Sequence, residues 1–144
     1  MSNQPQKKDI AKVPEPTLRR LPWYLSNVKL LKQKGEQYVS STQISKEINV
    51  DASQIAKDLS YVNISGRTRV GYEVDALIEV LEDFLGFTDM HKAFLFGVGS
   101  LGGALLRDSG LKHFGLEIVA AFDVNPNLIG THINGIPIFH SSEF

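Results

Sequence analysis

The stretch that decides the fold is Ala93-Phe94-Leu95-Phe96-Gly97-Val98-Gly99-Ser100-Leu101-Gly102, an apolar run followed at once by spaced glycines. A continuous apolar run of this kind predicts a buried parallel strand. The glycines follow the pattern G-x-G-x-x-G and open a helical stretch that extends to about Asp108. A second apolar strand, 117–122, leads into Asp123, and residues 136–139 could form a third. This order predicts an α/β fold, the β-α-β part of a Rossmann domain.

Each position of the glycine motif has a physical role toward a dinucleotide. Gly97 permits a tight turn, Gly99 lets the backbone approach a pyrophosphate, and Gly102 lets helix and strand pack closely. The helix N-terminus offers free N–H groups to the phosphates. Asp123 would accept hydrogen bonds from the adenine-ribose hydroxyls and repel a 2′-phosphate, which favours NAD(H) over NADP(H). The candidate cofactor-binding residues are Gly97, Val98, Gly99, Ser100, Leu101, Gly102 and Asp123. The alternative is a glycine-rich turn that binds nothing.

A long amphipathic helix is predicted upstream, where apolar residues recur at spacings of three and four between Leu18 and Leu31. Pro14 and Pro16 delay its start, because proline lacks a backbone N–H and restricts the residue before it. Pro22 falls inside the pattern and predicts a kink.

Two short helices joined by a tight turn follow, and together they predict a helix-turn-helix. Ser40 and Gln43 fit a capping box for the first of them, and Asp51 caps the second. The second helix has an apolar face and an opposite polar, basic face. That outer face carries Ser53, Gln54, Lys57, Ser60 and Tyr61.

A wing is predicted directly after this recognition helix. Ser65-Gly66 is a turn signal between short β-prone runs, and Arg67 and Arg69 would lie near the tip. A fourth amphipathic helix then ends at Gly86. The functional interpretation puts the recognition helix in the major groove and the arginines on phosphates or in the minor groove. The alternatives are a solvated surface or a protein-binding module.

Charge and composition support this division of the chain. The residues up to Tyr72 contain 12 Lys and Arg against 6 Asp and Glu, whereas those from Glu73 contain 3 against 10. A basic front half suggests a polyanionic partner. The chain has no cysteine, which excludes thiol redox chemistry and suits a cytosolic protein, so any redox sensing must act through a bound molecule. The N-terminus resembles no signal peptide, and no apolar stretch is long enough to span a membrane.

Four segments are predicted from these patterns. Residues 1–12 form a disordered basic tail, 13–86 a winged-helix DNA-binding domain, 87–91 a linker, and 92–144 the N-terminal half of a Rossmann NAD(H)-binding domain. No catalytic constellation is visible, since the four histidines are scattered, and no metal site is predicted. We therefore do not expect an enzyme.

The combination of motifs resembles the Rex family, bacterial repressors that sense the NADH/NAD⁺ balance. The resemblance runs from about Lys12 to the end of the chain. It implies a homodimer on a palindromic double-stranded DNA operator, released when NADH binds, and it implies that Arg20 on the first helix reaches the DNA backbone. The motifs that carry it are Val13-Pro14-Glu15, Arg20-Leu21-Pro22, Lys57-Asp58-Leu59-Ser60-Tyr61, Val70-Gly71-Tyr72, Gly97-Val98-Gly99 and Ala121-Phe122-Asp123-Val124.

The chain departs from the family pattern in its recognition helix, its wing, its phosphate loop and its length. Ala56 stands where the family usually has arginine, Arg67 and Arg69 flank the usual wing arginine, and Ser100 and Gly103 replace asparagine and arginine. The family also continues through the second half of the Rossmann sheet to a swapped C-terminal helix. We therefore expect the 144 residues to bind a dinucleotide weakly and to respond alike to NADH and NAD⁺.

The function predicted from the sequence is thus DNA binding under dinucleotide control. One alternative is a fragment of an NAD-dependent oxidoreductase, and another is a cofactor-blind DNA-binding or interaction protein. The candidate DNA-binding residues are Arg20, Ser53, Gln54, Lys57, Ser60, Tyr61, Arg67 and Arg69.

Overall fold

The computed structural model describes residues 12–144, so all but the last residue of the predicted tail lies outside the described part. The chain divides into two compact units, a front unit that ends at Leu85 and a back unit, Gly86–Phe144. The helices of the front unit are α1 (Glu15–Gln33), α2 (Ser41–Ile48), α3 (Ala52–Leu59) and α4 (Val74–Phe84), and its strands are β1 (Tyr38–Val39) and β2 (Tyr72–Glu73). The back unit contains β3 (His91–Phe96), α5 (Ser100–Arg107), β4 (Leu116–Asp123), β5 (His132–Ile133) and β6 (Ile136–His140).

Helix α1 spans the proline-containing segment without a break. Pro14 caps it, and Pro16 lies inside its first turn rather than delaying it, because the first helical N–H groups need no intrahelical partner. The helix also continues through Pro22. Its apolar face packs with α2 and α4 around a fully enclosed core that contains Leu21, Tyr24, Val28, Ile44, Ile55, Leu59, Leu77 and Leu81.

Both helices of the helix-turn-helix have the predicted N-cap residues, although only the Ser40 half of the predicted capping box is formed. The Ser40 side chain accepts a hydrogen bond from the Gln43 N–H at 3.1 Å, and Asp51 Oδ1 accepts one from the Ser53 N–H at 2.8 Å. Asn49 ends α2 in the left-handed conformation, with φ of 54°. Both helices are therefore held by local side-chain caps of the kind that is typical of short helices.

The turn of the wing was predicted at Ser65-Gly66, and that prediction was wrong. Arg67 and Gly71 pair through two backbone hydrogen bonds of 2.8 and 2.9 Å, and residues 68–70 form the turn between them. The physical reason lies at Gly71, where φ is +93° and an added Cβ would stand 2.4 Å from the Val39 carbonyl oxygen. This close approach fixes the base of the wing against β1, which pairs with β2.

The back unit is a four-stranded sheet of order β3-β4-β6-β5. Strands β3, β4 and β6 are parallel, α5 connects β3 to β4, and β5 joins β6 in a hairpin. Strand β3 begins at His91, inside the predicted linker.

Only one face of this sheet packs against α5, around Val98, Leu106, Ala121 and Ile138. Strand β3 is parallel as predicted, but the prediction that it is buried was wrong, since Phe94 and Phe96 are each 53% exposed on an aromatic second face.

Candidate nucleic-acid and dinucleotide sites

The outer face of α3 carries the side chains predicted to meet DNA. Ser53, Lys57 and Ser60 are exposed, and Gln54 and Tyr61 are half-buried. The two serine hydroxyls are already bonded within the helix, since Ser53 Oγ donates to Asp51 Oδ1 and Ser60 Oγ donates to the Lys57 carbonyl, both at 2.5 Å. The Lys57 ammonium has no ion-pair partner among the described residues, which leaves its charge available to a ligand.

A buried carboxylate on the inner side of α3 ties this helix to α1. Asp58 is fully buried, and its Oδ1 accepts from Thr17 at 2.8 Å, from Arg20 Nη2 at 2.9 Å and from Gln54 Nε2 at 2.8 Å. Its Oδ2 accepts from Arg20 Nε at 2.7 Å and from the Tyr24 hydroxyl at 2.5 Å. Burial raises the pKa of Asp58, but these hydrogen bonds outweigh it and lower the pKa to about 2, so the carboxylate stays ionised.

This carboxylate also binds Arg20, which the family resemblance places at the DNA backbone. Two of its three guanidinium nitrogens donate to Asp58, and its side chain is only 23% exposed. The Arg20 charge is therefore compensated inside the front unit, and the two N–H groups of Nη1 and one of Nη2 are left for a phosphate. The sequence interpretation missed Asp58, although a carboxylate on the apolar face between Ile55 and Leu59 signals a buried partner.

Ion pairs in the front unit neutralise several basic side chains of α1 and leave most of the unpaired basic residues on the helix-turn-helix and wing. Lys29 binds Glu82 at 2.5 Å and Lys32 binds Asp75 at 2.7 Å, so α4 neutralises two lysines that the charge count assigned to the basic half. Arg19 likewise pairs with Glu15. Among residues 12–85, the basic side chains without an ion pair are Lys34, Lys46, Lys57, Arg67 and Arg69. Lys46, on α2, is therefore a further candidate for DNA contact, and the sequence interpretation did not select it.

Both wing arginines are exposed beside the start of α2. Arg69 holds a φ of 65°, which presents its side chain at the apex of the turn. An open groove of about 420 Å³ runs between the wing and the cap of α2, lined by Ser40, Ser41, Thr42, Gly66, Arg67, Thr68, Arg69, Gly71 and Tyr72.

The glycine loop of the back unit lies between β3 and α5. Gly97 has a φ of +90°, and a Cβ on Gly102 would stand 1.9 Å from the Gly97 carbonyl oxygen, so Gly102 allows the helix to contact the loop backbone. A Cβ on Gly99 would meet nothing within 4 Å. Helix α5 has no side-chain cap, and Leu101 in its first turn is 75% exposed. The loop thus leaves open space in front of uncapped helix N–H groups, which fits a phosphate group.

Asp123 stands at the end of β4 and joins the loop to the strand. Its Oδ2 accepts from the Val98 N–H at 2.6 Å, and its Oδ1 accepts from the N–H groups of Val124 at 2.7 Å and Asn125 at 2.8 Å. These backbone hydrogen bonds, that from Val98 foremost, lower the pKa of Asp123. The carboxylate is ionised at neutral pH and retains lone pairs that could accept ribose hydroxyls.

Within residues 12–144, no group of three His, Asp or Glu side chains could hold a metal ion. The same part of the chain contains no helix that is long and apolar enough to cross a membrane.

These two units define a winged helix-turn-helix module joined to a Rossmann-like nucleotide-binding module, the architecture of ligand-responsive DNA-binding proteins. Family profiles agree: one described as "Putative DNA-binding protein N-terminus" matches residues 12–60, and one described as "CoA binding domain" matches residues 88–144. The chain is 89% identical over all 144 residues to the redox-sensing transcriptional repressor Rex of Bacteroides fragilis and spans 66% of its length. The chain belongs to the Rex family of redox-sensing transcriptional repressors.

Solved structures agree with this assignment. The chain superposes on RSP, a Rex-family repressor, in its complex with β-NAD⁺ and operator DNA, with a TM-score of 0.82 and 30% identity over 89% of this chain and 59% of RSP. The β-NADH complex of RSP matches with a TM-score of 0.80 and 30% identity, over 91% of this chain and 60% of RSP. These relatives are repressors rather than enzymes, which argues against the oxidoreductase alternative.

Proposed function

We propose that the chain is part of a cytoplasmic repressor that binds a palindromic operator as a homodimer and leaves it when NADH binds. The observation that carries this proposal is the presence, in one chain, of two features. One is a helix-turn-helix and wing whose Lys57, Arg67 and Arg69 have no ion-pair partner among the described residues, and the other is an uncapped glycine loop followed by an ionised aspartate. The RSP complexes with operator DNA and with β-NADH support it.

On the DNA side, α3 lies in the major groove with Lys57 toward the bases. Ser53, Gln54, Ser60 and Tyr61 complete the contact face. Arg67 and Arg69 bind phosphates from the wing, because they are exposed and have no ion-pair partner among the described residues. Arg20 contributes less charge than a free arginine, since Asp58 already compensates it. Its Nη1 can add one phosphate contact without ordering a flexible side chain.

On the dinucleotide side, the residues present fit the adenylate half of NAD(H). The loop 97–102 receives the pyrophosphate: Gly99 leaves room for it, and Ser100 and Leu101 lie beside it at the start of α5. Val98 contributes by holding the loop in place, because its side chain is buried and its N–H donates to Asp123. Asp123 accepts the ribose hydroxyls and repels a 2′-phosphate. It also holds Val98 in place at 2.6 Å, so ribose recognition and loop geometry share one carboxylate.

Release from DNA requires that NADH bind the DNA-free arrangement more tightly than the DNA-bound one, since a ligand shifts an equilibrium only by its differential affinity. The chain's part is to hold the phosphates, orient the ribose and couple that binding to α3.

A gel-shift assay tests this proposal. DNA duplexes selected by the full chain from a random library serve as the probe, and NADH, NAD⁺ and NADPH are titrated against the complex. We expect NADH to weaken the complex and NADPH to do so less. From the sequence analysis we expect these 144 residues to respond weakly, with NAD⁺ acting much as NADH does. Failure to select any sequence would overturn the DNA-binding part, and indifference to every dinucleotide would overturn the regulatory part.

A further inference from the structure

Gln54 lies in the first turn of the recognition helix, as the third residue of α3. The N-terminal residues of a recognition helix are the ones that contact base edges. The side chain is half-buried at the flank of α3 that faces α1, and its Nε2 lies 2.8 Å from Asp58 Oδ1. Gln54 is therefore anchored at one end before any DNA arrives.

The chemistry of Asp58 decides which end of the Gln54 amide is anchored. An ionised carboxylate has no hydrogen to donate, so only the amide nitrogen, not the carbonyl oxygen, can face it. The Gln54 oxygen must then point away from Asp58, and no described residue donates a hydrogen bond to it. Turning the amide over would place two acceptors against each other beside a buried charge.

The anchor itself is rigid. Asp58 is fully buried and receives four further hydrogen bonds from three side chains of α1, those of Thr17, Arg20 and Tyr24. The neighbouring hydroxyls of Ser53 and Ser60 are bonded within the helix. The Gln54 oxygen is thus a fixed, uncommitted acceptor on a face whose serines are already occupied.

We propose that Gln54 reads the exocyclic amino group of an adenine or cytosine in each operator half-site as a hydrogen-bond acceptor, and that Asp58 is the positioning residue that turns the amide oxygen toward DNA. In the major groove, adenine N6 and cytosine N4 are donors, whereas guanine O6 and thymine O4 are acceptors that the oxygen would repel. This inference rests on the proposed function.

The anchored amide can be tested first in the free protein. In ¹⁵N-labelled full chain, the side-chain amide pair that disappears in Gln54→Met belongs to Gln54. We expect one of its two protons to exchange with solvent several-fold more slowly than the amide protons of Gln33, an exposed glutamine at the end of α1. Equal exchange at both positions would contradict the anchor and overturn the positioning role of Asp58.

The base contact is tested with DNA selected by the full chain. At each adenine or cytosine of a half-site, the base is replaced by its analogue without the exocyclic amino group, purine 2′-deoxyriboside or 2-pyrimidinone 2′-deoxyriboside. At one position of the half-site, removal of the amino group should weaken wild-type binding about 3- to 10-fold, the range of one hydrogen bond. Gln54→Met should show no loss at that position, and the matched control Gln33→Met should behave like wild type.

The outcomes separate this inference from the proposed function. If the chain selects no DNA, the proposed function fails. If it selects an operator but every amino deletion affects wild type and Gln54→Met equally, DNA binding stands and the assignment of Gln54 is overturned. Circular dichroism of Gln54→Met shows whether the fold is retained, so a loss of folding cannot imitate the predicted result.

Discussion

Asp58 in the front unit and Asp123 in the back unit are both ionised carboxylates with several hydrogen bonds, yet their surroundings are opposite. Asp58 is fully buried and its donors are side chains, three of them from α1, 34 to 41 residues away. Asp123 is partly exposed, and its donors are backbone N–H groups. The first arrangement joins helices into one body, whereas the second leaves a carboxylate at a loop with lone pairs for a ligand.

The largest effect that follows from this contrast is on stability. Asp58→Ala leaves Arg20 and Tyr24 without their partner inside the front unit, and breaking a buried pair of this kind costs about 3–5 kcal/mol. Urea unfolding followed by the fluorescence of Trp23, the single tryptophan and a residue of α1, measures it. Asp75→Ala, which removes an exposed partner of Lys32, is the matched control and should change little. Equal losses in the two variants would mean that Asp58 does not organise the front unit.

In the back unit, two glycines of one loop should respond differently. Gly102→Ala places a Cβ against the Gly97 carbonyl and should destabilise the unit by about 3 kcal/mol, the upper range of overpacking, together with loss of NADH binding. Gly99→Ala meets open space, so it should weaken NADH binding while stability is retained. Hydrogen exchange of β3 and β4 reports stability, and calorimetry reports binding. Normal NADH affinity in Gly99→Ala would remove this loop from the site.

The pH dependence of the front unit should report Asp58. Its pKa of about 2 in the folded state is below the ordinary value near 3.9, so its stabilisation is complete above about pH 4 and is lost as the pH falls toward 2. We expect this group to contribute about 2 kcal/mol to the loss over that range. Trp23-monitored unfolding at several pH values measures the slope. If Asp58→Asn has the same slope as wild type, the carboxylate is not the group that titrates.

The smallest stability effect is predicted at Asp123, where the change should appear in ligand choice instead. Asp123→Ala removes ribose acceptors and the repulsion of a 2′-phosphate together, so NADH affinity should fall by about tenfold while NADPH affinity falls less. Calorimetric titration of both dinucleotides against wild type and variant gives the ratio. An unchanged ratio would exclude Asp123 from the ribose site.

The features that could be predicted from the sequence are those that depend on contacts between residues close together in the chain. The caps at Ser40 and Asp51 were confirmed, because they bond to the backbone within three residues. The glycine loop between a strand and a helix also formed as predicted, because its geometry depends on adjacent positions.

What sequence reasoning could not predict depends on contacts between distant segments. The turn of the wing lies at residues 68–70 rather than at the predicted position, because Gly71 approaches Val39. The hydrogen bonds to Asp58 form only when α1 and α3 lie side by side. The pairing of Lys29 and Lys32 with α4 likewise reduces the basic charge that a count along the chain assigns to DNA. The DNA-binding and cofactor-binding residues themselves remain predictions.

The central claim is that the front unit binds DNA and the back unit binds the dinucleotide. Hydrogen–deuterium exchange of the full chain, measured alone, with selected operator DNA and with NADH, tests it most directly. The account predicts that DNA protects α3 and residues 67–71, and that NADH protects the loop 97–102 and the end of β4 at Asp123. Protection of the glycine loop by DNA with none at α3, or protection of α3 but not of the loop by NADH, would contradict it.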